Sequence, residues 1–293
     1  MSTRSIQPTN LSDAVALSVD TELSRIRAAA FKRGVLVNSL RALVLIVILG
    51  GWELGARIQI IDPFFWGQPS GIWAQLVTWV RDGVAQGPLW EQIAVTLEEA
   101  VIGFVIGVVL GVFFGVALGT NRFLADVLGP YIKAGNSIPR VALAPIFAIG
   151  LGLGIQSKIA LSAVLVFFIV FFNAFQGVRE VDRNLLANAR ILGASQRKIT
   201  TEVIIPSALT WIIASLHTSF SFALVGAVVG EYIGATEGLG LMIQSSGANF
   251  NINGVFAALV ILAAVSLTAE ALVTALENRL IRWRPNQATE ATL

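Results

Sequence analysis

The chain has 293 residues, of which 55% are hydrophobic and only 13% are charged, and its mean hydropathy is +0.76. Soluble domains carry about 25% charged residues, so this composition excludes a soluble globular protein and indicates a protein that crosses the membrane several times. The sequence has no cysteine, which excludes a disulfide framework and a Cys-ligated metal, and its net charge of +2 is explained by basic residues beside membrane spans rather than by binding to nucleic acid.

Residues 1–35 combine a polar tail with a stretch in which apolar residues recur at helical spacing and basic residues follow. This pattern fits two alternatives, an amphipathic helix at the cytoplasmic membrane interface or a mobile tail. The apolar run that follows, residues 36–56, is long enough to cross about 30 Å of hydrocarbon. It is the first predicted membrane span.

The second predicted span, residues 96–119, has a glycine at every fourth position: Gly103, Gly107, Gly111, Gly115 and Gly119. Residues four apart lie on one face of a helix, so this face has almost no side chains and permits another helix to approach closely. Helix packing is therefore the favoured interpretation, and a substrate path along the groove is the second. Glu98 and Glu99 lie near the outer end, where a carboxylate stays hydrated, and a proton relay is the alternative role.

Three prolines interrupt the third predicted span, residues 126–150; they are Pro130, Pro139 and Pro145. Because proline lacks the backbone N–H and clashes with the preceding turn, we expect a kinked or broken helix. Polar groups at membrane depth are tolerated only against protein or a water-filled cavity. The polar residues of this span are therefore the first candidates for lining a translocation path: Asn136, Ser137 and Arg140.

Three more apolar runs bring the total to about six predicted spans: residues 159–175, 208–230 and 255–276. Polar residues inside these spans are further candidates for the translocation path, namely Asn173, His217 and Ser221. For His217, the only histidine in the sequence, a hydrogen bond to a neighbouring helix is the more ordinary role and contact with a solute the alternative. No second His, Cys or carboxylate cluster accompanies it, so no metal site is predicted.

A polar loop, residues 179–206, separates the fourth and fifth spans. Placing this loop on the same side as both termini and the turn at Arg122 gathers 15 of the 20 Lys and Arg residues there. Since cytoplasmic segments carry the excess of positive charge, the polar loop and both termini are predicted to face the cytosol. The sequence lacks the phosphate-binding motif G-x-x-x-x-G-K-[ST], so it is not predicted to be an enzyme, and any ATP hydrolysis must come from a partner.

The polar loop resembles the EAA loop of binding-protein-dependent ABC importer permeases. The resemblance rests on the spacing of an Ala-Gly-Pro pattern and on the sequence motif R-x-LGAS. The residues that carry it are Ala187, Asn188, Ala189, Arg190, Leu192, Gly193, Ala194, Ser195 and Pro206. The chain departs from the family pattern at Ala187 and Asn188, where the family has Glu and Ala. The segments NSIPRVALAP (136–145) and GEYIGATEGLG (230–240) also resemble permeases of the nitrate, sulfonate and taurine type.

This resemblance implies an all-α membrane protein of about six transmembrane helices, with the type I ABC importer permease fold and cytoplasmic termini. Its parts would be a cytoplasmic amphipathic segment (1–35), a permease domain (36–284) with the coupling loop 179–206, and a C-terminal tail (285–293). The loop would dock into a cytoplasmic ATPase that binds ATP-Mg, while this chain would hold no cofactor. The implied partners in the bacterial inner membrane are ATPase subunits, a periplasmic or lipid-anchored solute-binding protein, a second permease subunit in a homodimer and membrane lipid, with no nucleic acid.

The subfamily that the chain resembles takes up nitrate, bicarbonate, taurine and alkanesulfonates, which implies a small anion as the solute. A thiamine-pyrimidine precursor is the alternative within the same class. A different class of function is an ion-coupled secondary transporter, in which Glu98, Glu99 and His217 would carry protons. An integral membrane enzyme ranks last, because no nucleophile with a base and no metal cluster occurs at motif spacing.

Overall fold

The computed structural model describes residues 11–280, and for residues 11–28, 122, 183 and 276–280 it describes the backbone alone. Over this part of the chain the regular structure is helical, apart from one isolated antiparallel bridge between Val84 and Gly87. The predicted C-terminal tail (285–293) and the first ten residues of the predicted N-terminal segment lie outside the described residues.

The described helices are α1 (Leu11–Arg57), α2 (Pro63–Trp66), α3 (Pro69–Asp82), α4 (Leu89–Thr120), α5 (Arg122–Ser137), α6 (Ala144–Leu151), α7 (Ile155–Arg179), α8 (Arg183–Ile191), α9 (Gln196–Ile199), α10 (Ile205–Ile233), α11 (Leu239–Ala248) and α12 (Ile252–Leu280). A 3-10 turn (Arg140–Leu143) precedes α6, and a π-helical turn (Thr200–Ile204) precedes α10. Among the described residues, five helical stretches are long and apolar enough to cross a membrane, or up to six if one sharply bent pair of helices counts as a single span.

The first of two compact units ends at Ser70. Its main element, α1, continues through residue 35, where the sequence predicts a boundary between an interfacial segment and the first span. The helix stays continuous there because no proline lies in this stretch and the single Gly34 lowers helix stability by only about 1 kcal/mol. Near the end of α1, the carboxylate of Glu53 accepts hydrogen bonds from Arg57 Nε at 2.7 Å and from the backbone N–H of Ser70 at 3.0 Å.

The second unit, which begins at Gly71, is built around α4, α7 and α10, and these three helices pack against one another. Their shared core consists of small and β-branched side chains with one leucine: Ala100, Val166, Val170, Ala223, Leu224 and Ala227. Small side chains at a helix interface let the backbones approach closely, which increases dispersion contact where apolar lipid offers no hydrophobic driving force. α11 and α12 pack beside α10 at the other edge of this three-helix core.

The glycine face of α4 lies directly against α7. A Cβ atom added at Gly107 would lie 2.6 Å from Val166 Cβ and 2.7 Å from the carbonyl oxygen of Ala163. At Gly115 the same atom would lie 2.6 Å from Ala174 Cβ. These distances are shorter than any normal carbon contact, so the two helix backbones can hold their separation only while these positions have no side chain.

The third predicted span is broken rather than merely kinked. α5 begins after Asn121, whose side chain accepts a hydrogen bond from Leu124 N at 3.2 Å, and it passes through Pro130 without ending. The helix stops at Ser137, just before Pro139, and Pro145 lies in the first turn of α6. The segments on either side of the break meet at 84°, so Pro139 decides the geometry, while Pro145 starts a new helix where its missing N–H is not needed.

We predict that Gly107→Leu destabilises the protein by about 1–3 kcal/mol or more, because the new side chain must push α7 away from α4. The matched control is Gly50→Leu, since a Cβ at Gly50 in the α1 span meets no heavy atom within 4 Å. Thermal unfolding of the purified chain in detergent measures the difference. Equal melting temperatures for the two variants would contradict the close packing of α4 on α7.

Candidate functional site

The polar loop between α7 and α10 contains a short helix, α8, with a well-defined start and end. At its start, Asp182 accepts a hydrogen bond from the backbone N–H of Asn184 at 2.8 Å. At its end, Gly193 N–H donates to the Arg190 carbonyl and Ala194 N–H donates to the Ala189 carbonyl, each at 3.0 Å. Together with a φ of +79° at Gly193, this is a Schellman cap, the helix ending that favours glycine.

The second half of the polar loop continues into the membrane helix α10 without a break in the helical backbone. Ser195 caps α9, because its hydroxyl accepts a hydrogen bond from Lys198 N at 3.3 Å. The π-helical turn then leads into α10, whose first turn contains Pro206. Proline removes one helical hydrogen-bond donor, which gives a local reason for the wider turn just before it. α9, the π-helical turn and α10 therefore form one continuous stretch of helical backbone.

A buried apolar cluster fixes the polar loop to the membrane helices. Its buried members come from α7, α9, the π-helical turn, α10 and the segment before α8: Ala174, Val178, Val181, Ile199, Ile204, Ala208 and Ile212. Leu186 and Ala189 of α8, together with Ala194, pack against this cluster. One face of α8 is thus held by the ends of α7 and α10, so a force on α8 acts on both helices.

The opposite face of α8 is exposed and ends in two large apolar residues. Ile191 is 82% exposed and Leu192 is 86% exposed. Ala187, Asn188 and Arg190 are exposed on the same helix, and no acidic side chain stands at Ala187 to make an ionic contact. The apolar tip of α8, Ile191 and Leu192, is therefore the feature most suited to a protein contact.

The break between α5 and α6 brings together two of the residues predicted to line a path. The side chain of Arg140 donates a hydrogen bond to Asn136 Oδ1, and its guanidinium lies over the ring of Phe168 in α7, 4.7 Å from the ring centre. Among the described residues, Arg140 Nε is buried and has no hydrogen-bond partner. Ser137 Oγ instead donates to the Lys133 carbonyl of its own helix at 2.9 Å.

The other three candidates for a path make different contacts. The amide nitrogen of Asn173 donates to the Ile169 carbonyl at 2.9 Å, a hydrogen bond within α7. His217 Nε2 of α10 lies 3.0 Å from Glu270 Oε1 of α12, which matches the ordinary role of a histidine that joins two helices. Ser221 is exposed on α10. Of the predicted path residues, the structure therefore joins Asn136 with Arg140 at the break between α5 and α6.

A cluster of buried polar residues corrects the sequence analysis, which expected Glu99 to stay hydrated and did not single out Lys158 or Glu231. It joins the N-terminal halves of α4 and α7 to the end of α10, and its members Glu99, Lys158 and Glu231 are only 3%, 2% and 0% exposed. The carboxyl group of Glu99 lies beside that of Glu231, and both interact electrostatically with the Lys158 ammonium group. Lys158 Nζ also donates to the carbonyls of Leu153 and Gly154. Burial of charge in this way is tolerated only with such partners.

Thr96 connects this cluster to the turn between α10 and α11. Its hydroxyl donates to Glu231 Oε1 at 2.7 Å and accepts from the backbone N–H of Leu239 at 2.9 Å. Glu231 Oε2 accepts from Gly240 N at 2.6 Å, and Gln92 Oε1 accepts from Gly238 N at 2.8 Å. The spacing of Gln92, Thr96 and Glu99 on one helical face is the sequence signal that could have revealed this network.

The comparisons with known proteins identify the family. The family model described as the inner membrane component of binding-protein-dependent transport systems matches residues 107–282, which is more than half of the chain. The chain belongs to this family. It is the permease component of an ABC transporter in the inner membrane, it crosses the membrane several times, and it is not itself the ATPase. Membership implies an ATPase and a binding protein as partners and no cofactor in the permease itself.

Several curated permeases are similar over most of their length. The riboflavin permease RibX of Chloroflexus aurantiacus is 34% identical over 82% of this chain and 88% of its own. The formylaminopyrimidine permease ThiX of Halalkalibacterium halodurans is 31% identical over 84% and 94%, and the taurine permease TauC of Escherichia coli is 31% identical over 82% and 87%. Among solved structures, the MetNI methionine ABC transporter in an inward-facing conformation matches with a TM-score of 0.51 at 24% identity, over 66% of this chain and 93% of that one.

We predict that Thr96→Val destabilises the permease by about 1–3 kcal/mol, because it leaves Leu239 N–H and one Glu231 oxygen without their buried partner. Thr78→Val is the matched control, since the exposed Thr78 hydroxyl donates to the Ala74 carbonyl of its own helix, and its loss should change stability by less than about 0.5 kcal/mol. Thermal unfolding in detergent reports both changes. If the two valine variants unfold at the same temperature, Thr96 does not hold the α10–α11 turn as described.

Proposed function

We propose that this permease is driven by a cytoplasmic ATPase that receives α8 in a surface cleft, with the polar loop and both chain termini in the cytosol. The observation that carries this proposal is the apolar tip of α8, where Ile191 and Leu192 are almost fully exposed on a helix whose other face is fixed to the protein core. The concentration of Lys and Arg on the side of this loop supports the orientation. The match to an importer permease fold supports the type I arrangement.

In the proposed mechanism, α8 transmits the closing motion of the ATPase to the membrane helices. A displacement of α8 acts through Ala189 and Leu186 on the cluster that contains Val178 at the end of α7 and Ala208 at the start of α10. The two helices then move as one body with α4, because the glycine face leaves no gap between α4 and α7. ATP drives this change only if the ATPase in its closed state binds one arrangement of the helices more tightly than the other.

The complete transporter in this proposal contains two copies of the permease, two ATPase subunits and an external solute-binding protein. The family requires the ATPase and the binding protein. A homodimer of permeases is the simplest assembly for a single permease sequence, and closed two-fold assemblies are the commonest among soluble oligomers. The translocation path would then lie where the two copies of the broken span face each other, with Arg140 and Asn136 in its lining.

We predict that ATP-dependent uptake by reconstituted permease, ATPase and binding protein is lost in Ile191→Ser, and that co-purification of the ATPase falls about tenfold or more. Ile60→Ser is the matched control, since Ile60 is 79% exposed but lies outside the polar loop. Uptake that continues without ATP, or without any ATPase, would overturn the proposal. Uptake that instead collapses with an ionophore would favour an ion-coupled transporter, in which Glu98, Glu99 and His217 carry protons.

For the solute, we propose a small anion such as taurine, a sulfonate, nitrate or bicarbonate. Arg140 supports this choice, because it places a permanent positive charge at the break in the third span and has one buried N–H without a partner among the described residues. The relative TauC is named for taurine transport, whereas RibX and ThiX are named for riboflavin and formylaminopyrimidine. A thiamine-pyrimidine precursor is therefore the second candidate, supported by the name of ThiX.

We predict that Arg140→Gln lowers uptake of a small anion about tenfold or more, since a hydrogen bond to a charged group contributes about 1.5–3 kcal/mol. Arg140→Lys, which keeps the charge, should retain more of the uptake than Arg140→Gln. Initial rates for radiolabelled taurine, nitrate and bicarbonate in proteoliposomes measure this effect, with Arg81→Gln on α3 as the control for loss of one charge. Equal uptake by Arg140→Gln and the unchanged protein would exclude Arg140 as an anion contact.

A further inference from the structure

A cavity of about 510 Å³ lies between α5 and the end of α7. Its charged lining consists of Lys133, Arg179 and Asp126, and its apolar lining includes Phe172 and Phe175. None of these residues belongs to the ATPase-docking tip or to the pair at the broken span. The cavity is therefore separate from both parts of the site described above.

The positive charges in the lining of this cavity outnumber the negative ones. Among the described residues, neither Lys133 nor Arg179 has a carboxylate oxygen within 4.0 Å. The guanidinium of Arg179 lies 5.2 Å from the ring centre of Phe175, so it is held at the cavity wall by a cation–π contact. With Asp126 as the one acidic group in the lining, the cavity carries a net charge of about +1, which favours an anionic occupant.

Next to the cavity lies an apolar crevice of about 170 Å³ between α4, α5 and α7. The two spaces share Ile132 and Phe171, and the crevice is otherwise lined by apolar side chains such as Phe114, Phe167 and Leu128, with Tyr131. α7 reaches its end at Arg179, and Phe167 lies three turns earlier, about 18 Å deeper along the helix axis. The combined space is thus charged toward the end of α7 and apolar toward the middle of the membrane.

We propose that this combined space binds one anionic phospholipid of the cytoplasmic leaflet. Its phosphate lies between Lys133 and Arg179, and one acyl chain enters the crevice beside Phe167. Basic pockets between transmembrane helices on the cytoplasmic side are suited to acidic headgroups, and each cation near the membrane surface contributes about a five-fold gain in binding. The side of the membrane assigned to Arg179 rests on the orientation in the proposed function.

A lipid fits the whole space better than a free anion does. A small inorganic anion would contact only the charged end and leave the apolar crevice empty, whereas a lipid has one part for each. The crevice is lined by residues of α4, α5 and α7. A bound lipid would therefore contact α5 of the broken span and α7, the helix that leads into the polar loop. An anionic lipid would in this way favour one position of α5 relative to α7.

The test is lipid retention by the purified full-length permease, measured by native mass spectrometry in mild detergent. Phosphatidylglycerol and phosphatidylcholine with the same acyl chains are added in equal amounts. The unchanged protein should retain phosphatidylglycerol preferentially, and the double variant Lys133→Gln/Arg179→Gln should lower its affinity for this lipid roughly 30-fold. Arg197→Gln/Lys198→Gln is the matched control, since it removes two positive charges from α9 in the polar loop and should keep the preference.

A second variant tests the apolar crevice without any change of charge. Leu128→Trp places a larger side chain in the crevice and reduces its free volume, so it should weaken lipid retention while leaving the two cations in place. Melting temperatures of all variants in detergent establish that they are folded. The absence of a preference for phosphatidylglycerol in the unchanged protein, or equal loss in the α9 control, would overturn the proposal.

The source of the anion is distinguished by competition. Inorganic phosphate and glycerophosphoglycerol, the headgroup without acyl chains, should fail to displace the lipid at millimolar concentration. Displacement by either would overturn the lipid assignment in favour of a free-anion site. Because retention of lipid is measured without ATPase, solute or binding protein, its outcome is independent of whether Ile191→Ser abolishes ATP-dependent uptake.

Discussion

The close contact between α4 and α7 is the constraint on which the rest of the structure depends. Each glycine on α4 removes a side chain that would otherwise collide with the backbone or Cβ atoms of α7. The helices consequently share a continuous interface, and α10 completes it with small residues such as Ala223 and Ala227. This close packing leaves little room for the helices to shift against one another, which favours a joint movement of α4, α7 and α10 in the proposed mechanism. The polar network at one end and the polar loop at the other are both attached to this body.

Much of the architecture follows from local patterns that act within one helix. The four-residue glycine spacing predicts a smooth face, and α7 lies on that face. The prolines predict an interruption in the third span, although only the structure distinguishes Pro139, where the chain bends, from Pro130, which the helix passes through. Gly193 matches a known loop pattern, and its Schellman cap gives the physical reason for glycine at that position, because the φ there is positive.

The features that the sequence did not predict depend on contacts between residues that are distant in sequence. Thr96 and Glu231 are separated by 135 positions, and nothing in either local segment specifies their pairing. Lys158 resembles an ordinary residue at the end of a span in the sequence, whereas in the structure it is buried and interacts with two carboxyl groups. The boundary predicted at residue 35 rests on a change in composition and stays a prediction, because helix formation depends on backbone hydrogen bonds, and these continue through a change in polarity. The predicted path residues stay a hypothesis for the same reason, since a path between two subunits requires the second subunit.

The exposed tip of α8 also has a consequence for the life of the protein in the cell. In the proposed orientation, a permease that has not met its ATPase presents Ile191 and Leu192 to the cytosol, next to each other on a rigidly held helix. Exposed apolar side chains of this kind are what chaperones and proteases recognise in incompletely assembled proteins. In the proposed docking the ATPase covers them, so the two residues proposed to connect the permease to its source of energy would also distinguish an assembled transporter from an orphan subunit.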